Sequence, residues 1–378
     1  MTAKPRDRLR VLVVDDSAYN RQTIATMLER LPGVEVVGRA TNGKEALRLV
    51  FDVQPDVITL DLEMPEMDGF AFLRLLMHRR PTPVIVISSH AAREHVFRAL
   101  ELGALDFVPK PAADVSPELR NIEQELLAKV SMVRRLQAVR LSERARALQQ
   151  SPRPSATTHP VARGLPLGVI AIAASTGGPP AVQQLLAQLP RELPLAIAIA
   201  QHMPARFTRA FAERLDRLVP LTVVEAEDGM PLLAGMVYVA PGGAHLEVAL
   251  GPAGPVARVS AAASGGGVIT PSADRLFRSA AALFGTRLCA VVLTGMGNDG
   301  TDGAGVALAA GARVWAEDPD LAVMSGMPRS VVDAGFAQRV GTIDAIARSI
   351  MEFSASLASD VGERSGRGAT AGRDEPGS

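Results

Sequence analysis

The stretch "VIAIAASTGGPPAVQQLL", residues 169–186, joins an apolar run to an amphipathic pattern through two glycines and two prolines. An unbroken apolar run is typical of a strand buried on both faces of a parallel sheet, and proline is common in the first turn of a helix. The stretch therefore predicts a strand, a tight turn and a helix, with Ser175 where the strand ends. A serine at that junction can cap the helix or act as a nucleophile, and this stretch alone leaves both roles open.

Similar apolar runs alternate with helical patterns on both sides of this stretch and form two series. The second series continues downstream with "PLAIAIAQH", "LTVVEA", "RLCAVVLTG" and "RVWAED". The first series lies upstream and consists of "RVLVVDD", "VEVVG", "DVITLDL", "PVIVISS" and "DFVPK". Strands that alternate with helices predict a parallel sheet with helices on both faces. The sequence therefore predicts an α/β protein with two doubly wound parallel-sheet domains.

A segment of different composition separates the two series. A long, charged helical pattern leads into "SPRPSATTHPVARGLP", which is rich in Pro, Ser and Thr and has no apolar period. We place the first domain at residues 8–125, a helical and Pro/Ser-rich linker at 126–166, and the second domain at 167–352. The small polar residues that follow predict a disordered tail at 353–378.

Composition narrows the class of protein. The 378 residues carry 40 Lys+Arg and 40 Asp+Glu, so the formal net charge is zero, which argues against binding nucleic acid through bulk charge. No apolar run reaches the roughly 20 residues of a membrane-spanning helix, and no signal-type segment opens the chain. The single Cys289 allows no intrachain disulfide. We therefore expect a cytoplasmic protein without nucleic-acid partners or membrane insertion.

Charged and hydroxyl side chains follow the strands of the first series. Asp15 and Asp16 end the first strand, Asp61 ends the third, Ser88 the fourth and Lys110 the fifth. Ligands of doubly wound sheets bind outside the carboxyl ends of the strands, so these groups should share one rim. Each acid alone could be a cap or a solvated loop residue. Three carboxylates held together favour Mg²⁺, and one of them can then accept a phosphoryl group.

The second series supplies candidates for nucleophilic catalysis. Ser175 ends one strand, His202 ends the next, and Asp299 follows a later strand after a Gly-rich turn. Taken singly, these residues could be a cap, a loop residue and a turn former. Together they form a Ser–His–Asp set on one rim, in a chain order that differs from the Ser–Asp–His order of α/β-hydrolases.

The motifs of the first series resemble those of a response-regulator receiver domain. They are "VVDDS", "DLEMPEMDG", "VISS" and "FVPKP". The resemblance implies a flavodoxin-like fold in which Asp61 is phosphorylated. It implies Mg²⁺ ligands from Asp15, Asp16, Asp61 and the backbone carbonyl of Glu63. It also implies switch roles for Ser88, Phe107 and Lys110.

The motifs "AASTGGPP", "QHMP" and "TGMGNDG" resemble the catalytic domain of the chemotaxis protein-glutamate methylesterases, a family that also carries a receiver. The resemblance implies a Rossmann-like domain in which Ser175 is the nucleophile, His202 the general base and Asp299 its partner. It places Thr176 and Met296 at the active site, with the Met296 backbone N–H in an oxyanion hole.

The family resemblance also implies a function. It implies a phosphorylation-activated enzyme that hydrolyses glutamyl methyl esters on chemoreceptor helices, releases methanol and deamidates receptor glutamines. The esterase would need no cofactor, a histidine kinase would donate the phosphoryl group, and we expect a monomer in the cytoplasm, associated with receptor arrays. The alternative from another class is a receiver-controlled binding protein with a decayed site. A DNA-binding response regulator is disfavoured because residues 167–350 show no compact basic helical output.

Overall fold

The chain divides into two compact units, the first made of residues 1–152 and 323–325 and the second of residues 153–322 and 326–378. The computed structural model describes residues 8–88, 93–110, 117–133, 164–261 and 269–370. Each unit contains its own parallel sheet, as the two series of apolar runs predict.

The first unit is a five-stranded parallel sheet with the order β2-β1-β3-β4-β5. Its strands are β1 (Leu9–Val14), β2 (Val34–Ala40), β3 (Val57–Asp61), β4 (Val84–Ser88) and β5 (Asp106–Pro109). Its helices are α1 (Ala18–Glu29), α2 (Gly43–Val53), α3 (Gly69–Arg79), α4 (Arg93–Glu101) and α5 (Pro117–Met132). This order is that of flavodoxin-like folds, which confirms the predicted class.

Side-chain caps explain where the first three helices begin. Ser17, Asn42 and Asp68 each accept a hydrogen bond from a backbone N–H of the first turn that follows. These residue types favour caps because a short side-chain oxygen reaches an amide that has no partner within the helix. The caps therefore fix the residue at which each helix begins after the carboxyl end of a strand.

The second unit is a seven-stranded parallel sheet with the order β14-β13-β12-β6-β7-β9-β8. Its strands are β6 (Gly168–Ala174), β7 (Leu195–Gln201), β8 (Thr222–Glu225), β9 (Met236–Val239), β12 (Leu288–Val292), β13 (Arg313–Glu317) and β14 (Arg339–Gly341). A separate antiparallel pair is formed by β10 (Ala244–Gly251) and β11 (Gly254–Ala261). The helices of the second unit are α6 (Gly178–Leu186), α7 (Thr208–Leu218), α8 (Ala273–Phe284), α9 (Thr301–Ala309), α10 (Gly326–Asp333) and α11 (Ile343–Thr370).

Two strands of this sheet lie outside the five that the sequence predicts. The runs that form β9 and β14 have only four and three residues, too short to show a period. Their pairing with β7 and β13 is decided by the packed sheet rather than by local pattern.

Helix α8 packs on the central strands and forms much of the second core. Phe277 is fully buried there, and the facing strands contribute alanines, among them Ala171 and Ala198. Small residues on the strands let a large aromatic ring approach the sheet closely. This packing holds the N-terminus of α8 beside the ends of β6 and β12.

Two helices cross the predicted domain boundaries. Helix α5 continues past residue 125 with Leu126 and Val130 buried in the first unit, so the domain extends into the predicted linker. Helix α11 continues past residue 353 with Phe353 and Leu357 buried, so the predicted disordered tail starts too early. In both cases the helix continues because apolar side chains at helical spacing pack against the core. Residues 134–163 of the predicted linker and the last eight residues lie outside the described residues.

We searched the described helices for a stretch both long enough and apolar enough to cross a bilayer, and found none.

Replacing Phe277 by alanine should destabilise the second unit by about 3–5 kcal/mol, because it removes a large side chain from a closed core. Trp315 is the one tryptophan of the chain and is buried in β13, so its fluorescence follows the unfolding of this unit alone. The matched control is Leu250→Ala, which truncates an exposed side chain. Equal urea midpoints for the two variants would contradict the packing role of Phe277.

Candidate active site and acidic rim

Strand β6 lies between β7 and β12, so the carboxyl ends of these three parallel strands lie side by side at one edge of the sheet. The His202 N–H donates to the Ala174 carbonyl at 2.9 Å, which continues the pairing of β6 with β7. The Ser175 N–H donates to the Thr294 carbonyl at 3.0 Å, which ties Ser175 to the residues after β12. These two bonds hold Ser175, half-buried, between the segments that carry the predicted base and the predicted acid.

The structure brings together His202 and Asp299. The His202 Nε2 lies 2.8 Å from Asp299 Oδ2, and both side chains are largely buried. Burial alone would raise the pKa of Asp299, but hydrogen bonds from His202 and from the Ala273 amide outweigh it and hold this pKa below its ordinary value. An ionised carboxylate only accepts hydrogen bonds, so in this pair Nε2 of His202 is the donor.

Asp299 is held by the start of helix α8 as well as by His202. Its Oδ2 accepts the Ala273 N–H at 2.7 Å. Its Oδ1 accepts the Ser272 hydroxyl and the Asp274 N–H, both at 3.1 Å. With four donors on two oxygens, the carboxylate has one orientation. The N-terminus of a helix also favours a negative charge, so α8 stabilises Asp299 in its ionised form.

Sequence reasoning missed the segment that holds Asp299. The "PSAD" pattern before α8 carries a helix-cap signal, since Ser272 precedes an amphipathic run. A cap signal says where a helix starts but not which distant carboxylate its amides will meet. The partner lies 25 to 27 residues further along the chain and is brought close only by the sheet.

Gln201 and Gly178 shape the turn that carries Ser175. The buried amide of Gln201 donates to the carbonyls of Ser175 at 2.9 Å and of His202 at 3.1 Å. A Cβ atom at Gly178 would collide with the Gln201 side-chain oxygen, so this position excludes any larger residue. The glycine pair at the junction is therefore explained by close approach to a buried amide as well as by the turn.

The loop after β12 is anchored by a second carboxylate that the sequence analysis did not single out. Buried Glu317 accepts the Thr294 N–H at 2.7 Å, and the Thr294 hydroxyl donates to the Thr176 carbonyl at 3.0 Å. A Cβ at Gly295 would collide with the Met327 sulfur and would lie 2.9 Å from the Ser175 Cβ. The loop thus passes directly over Ser175.

Two backbone segments near Ser175, the start of α6 and the loop after β12, differ in the N–H groups that they offer to an oxyanion. In the first turn of α6, the Gly178 N–H already donates to the Ser175 carbonyl at 2.8 Å, and Pro179 and Pro180 carry no N–H. Met296 lies half-buried in the loop that passes over Ser175, next to Gly297 with its positive φ of 78°. The backbone of this loop is therefore the better candidate for binding a developing oxyanion, and the role of Met296 stays a prediction.

At the rim of the first unit, the structure brings together Asp15, Asp16 and Asp61. One carboxylate oxygen of each lies within 4.8 Å of the others. The Lys110 ammonium lies 2.6 Å from Asp61 Oδ2 and 3.6 Å from Asp15 Oδ2. Among the described residues, the buried Asp15 Oδ2 has no hydrogen-bond partner. A hard divalent cation such as Mg²⁺ prefers this set of carboxylate oxygens, so the rim fits the predicted metal.

The charges of this rim perturb one another. Burial, reinforced by nearby carboxylates, raises the pKa of Asp15 and of Asp61 above the ordinary value, although Lys110 opposes the shift. Burial alone would lower the pKa of Lys110, but its hydrogen bond to Asp61 and the surrounding negative charges raise it. The single ammonium therefore offsets only part of the repulsion among three carboxylates.

The other predicted residues of the first unit lie around this rim. Ser88 is buried at the end of β4, and its carbonyl accepts the Lys110 N–H at 2.7 Å. The Glu63 N–H donates to Asp61 Oδ1 at 3.3 Å, while the metal role of the Glu63 carbonyl stays a prediction. Phe107 is buried in β5, and its carbonyl accepts a hydrogen bond from Lys129 at 2.7 Å.

Comparison with known protein families matches both units. The family model described as CheB methylesterase matches residues 170–350. The model described as response regulator receiver domain matches residues 11–120.

Comparison with individual proteins gives full-length relatives. The chain is 49% identical over 353 residues to protein-glutamate methylesterase/protein-glutamine glutaminase 6 of Anaeromyxobacter dehalogenans, covering 92% of this chain and 96% of the relative. It is 44% identical over 370 residues to enzyme 3 of the same name from Geobacter sulfurreducens, covering 94% and 99%. Among solved structures, the CheB methylesterase catalytic domain of Thermotoga maritima is 37% identical, with a TM-score of 0.47, covering 49% of this chain and 97% of that one.

Replacing Lys110 by methionine should raise the affinity of the acidic rim for Mg²⁺ by roughly 3- to 10-fold, because the ammonium and the cation compete for the same carboxylates. Calorimetric titration of the full chain with Mg²⁺ measures this change. The control is Lys44→Met, which removes an exposed ammonium from α2. An unchanged affinity in Lys110→Met would place the metal elsewhere.

Proposed function

The chain belongs to the protein-glutamate methylesterase/protein-glutamine glutaminase family, and on that premise we propose how its residues carry out the reaction. It is a hydrolase whose receiver domain fits regulation by phosphorylation. One observation supports the assignment of the active site above the others. Ser175 follows the strand between β7 and β12, and the segments after those two strands carry the 2.8 Å pair of His202 and Asp299.

In the proposed reaction, the Ser175 hydroxyl oxygen attacks the carbonyl carbon of a glutamyl methyl ester on a chemoreceptor. Nδ1 of His202 takes the hydroxyl proton and then passes it to the departing methoxide, which leaves as methanol. Water attacks the acyl-enzyme in the same way, with its proton taken by His202 and returned to Ser175. Asp299 keeps the imidazole in the required tautomer and stabilises it when it becomes positively charged.

The same acyl route accepts a primary amide. A receptor glutamine would acylate Ser175 with loss of ammonia instead of methanol, and hydrolysis would leave glutamate. Both reactions pass through a tetrahedral oxyanion, which we propose is met by backbone N–H groups, with that of Met296 in the loop over Ser175. Thr176 contributes by anchoring this loop through its carbonyl. The esterase chemistry as proposed uses no cofactor.

We further propose that Asp61 accepts a phosphoryl group from a histidine kinase. Asp15, Asp16 and the carbonyl of Glu63 would hold Mg²⁺ beside Asp61, where a bound cation neutralises phosphoryl oxygens. Lys110 lies close enough to Asp61 to contact one of those oxygens. We propose Ser88 and Phe107 as the switch residues: Ser88 ends β4, which pairs with β3, and Phe107 lies in β5, which pairs with β4.

The proposed partners follow from the family. The substrate would be the methylated cytoplasmic helices of chemoreceptors, and the enzyme would act as a monomer in the cytoplasm at receptor arrays. The proposal includes no nucleic-acid partner. The alternative of a binding protein with a decayed site predicts no methanol release, so one assay separates the two.

Replacing Ser175 by alanine should lower methanol release from methylated receptor membranes at least about 10³-fold, because members of a catalytic triad act as a unit. The fold should survive, which the Trp315 fluorescence of the variant checks. The control, Ser359→Ala, removes an exposed hydroxyl from α11. A Ser175→Ala enzyme with near wild-type turnover would rule out this nucleophile, and an inactive wild type would favour the binding protein.

Replacing Asp61 by asparagine should abolish activation by a small phosphodonor such as acetyl phosphate and leave basal esterase activity unchanged. Asparagine keeps the shape of the side chain but cannot form the acyl phosphate. The matched control is Asp52→Asn, at an exposed position on α2. Activation that persists in Asp61→Asn would assign phosphorylation to another residue.

A further inference from the structure

The starts of helices α8 and α9 cap one another. Asp299, which lies just before α9, accepts the Ala273 and Asp274 N–H groups at the start of α8. Asp274 in turn accepts the N–H groups of Gly300 at 3.0 Å and Gly303 at 2.6 Å at the start of α9. Each carboxylate therefore satisfies amides of the other helix. The Ala273 amide binds Oδ2 and the Asp274 amide binds Oδ1, so this crossed capping fixes the backbone that carries Asp299 and also restrains the rotation of its carboxylate.

Ser272 adds a side-chain donor to the same carboxylate. Its hydroxyl accepts the Arg275 N–H at 3.4 Å as the cap of α8 and donates to Asp299 Oδ1 at 3.1 Å. A cap needs only an acceptor, but the bond to the carboxylate needs a donor. A serine hydroxyl does both at once. With Oδ1 held by the Ser272 hydroxyl and the Asp274 amide together, Oδ2 faces His202.

His245 of strand β10 holds Ser272 from the other side. It is buried, and its Nδ1 accepts the Ser272 N–H at 3.2 Å. Burial, with the nearby positive charge of Arg275, lowers the pKa of His245, while Glu247 and Asp299 oppose this shift. The ring is therefore neutral at neutral pH, which the bond requires, because a protonated Nδ1 has no lone pair to accept it.

We propose that Ser272 is a positioning residue of the esterase, which holds the Asp299 carboxylate towards His202, and that His245 fixes Ser272 in place. The proposal rests on the proposed function, since it takes Asp299 and His202 as the acid and base of the reaction. It assigns a role in turnover to a hydroxyl that the reaction itself does not consume.

The test compares Ser272→Ala, Ser272→Gly and Ser272→Thr in the full-length enzyme, with methanol release from methylated receptor membranes as the assay. Glycine caps helices almost as well as serine but has no hydroxyl, so Ser272→Gly removes the donor with little loss of stability. Threonine keeps the hydroxyl. The control for a lost helix cap is Thr342→Ala, because Thr342 accepts the Ala345 N–H at 3.1 Å before α11 and lies outside this cluster.

We expect kcat to fall about tenfold in Ser272→Ala and Ser272→Gly, with KM changed less than about twofold, because a hydrogen bond to a charged group is lost. The acidic limb of the pH profile should move to higher pH, because a carboxylate with one donor fewer attracts the imidazolium more strongly. Threonine should restore both quantities, and Thr342→Ala should change neither.

Several results would overturn the positioning role. It is wrong if Ser272→Gly keeps the wild-type kcat and pH profile, or if Ser272→Thr is as slow as Ser272→Ala. Ser175→Ala measured in parallel separates this failure from that of the proposed function. An active Ser175→Ala contradicts the function, whereas an inactive Ser175→Ala beside a fully active Ser272→Gly overturns only the role of Ser272.

The part played by His245 has its own test. Asparagine places an acceptor oxygen near the position of Nδ1, whereas leucine has no acceptor. We expect His245→Leu to reproduce the loss of kcat seen in Ser272→Gly and His245→Asn to retain most of the activity, with Trp315 fluorescence as the check on folding. Equal activity in the two variants would show that the acceptor is not required.

Discussion

The catalytic unit depends on a buried negative charge that has to be satisfied. The Asp299 side chain is only 5% exposed, and burying a carboxylate costs several kcal/mol unless charged partners and hydrogen bonds compensate. Compensation comes from three places at once: the His202 ring, the Ser272 hydroxyl and the first amides of α8. These groups must converge from β7, α8 and the loop after β12, so this one charge constrains how three elements meet.

A second buried carboxylate anchors the loop that lies against Ser175. Glu317, at the end of β13, accepts the Thr294 N–H and thereby fixes the loop after β12. That loop passes so close to Ser175 that Gly295 cannot carry a side chain. Ser175 thus lies against an anchored loop, and the amides of that loop, which we propose bind the oxyanion, are held by contacts within the protein. Such rigidity is what preorganised stabilisation of a transition state requires.

The receiver unit shows the opposite arrangement of charge. Asp15, Asp16 and Asp61 share one positive side chain, Lys110, and Asp15 Oδ2 is buried with no hydrogen-bond partner among the described residues. This rim therefore holds excess negative charge, whereas Asp299 is fully compensated. The difference matches the two proposed uses: a site that takes up a cation and a phosphoryl group, and a site whose carboxylate keeps its charge throughout the reaction.

Apolar runs and their spacing were enough to predict two parallel α/β sheets, because strands buried on both faces have to be apolar along their length. Residues at the ends of those runs were predictable for the same reason: parallel strands end on one rim, so Ser175, His202 and Asp299 could be placed together. Ser272 and His245 were not predictable. Their roles depend on contacts across about 27 residues of sequence, made only when α8 and β10 pack beside the end of β12. Local sequence determines which elements form and where they end, whereas the hydrogen-bond partners of a buried charge are decided by which elements the tertiary packing brings within about 3 Å of it.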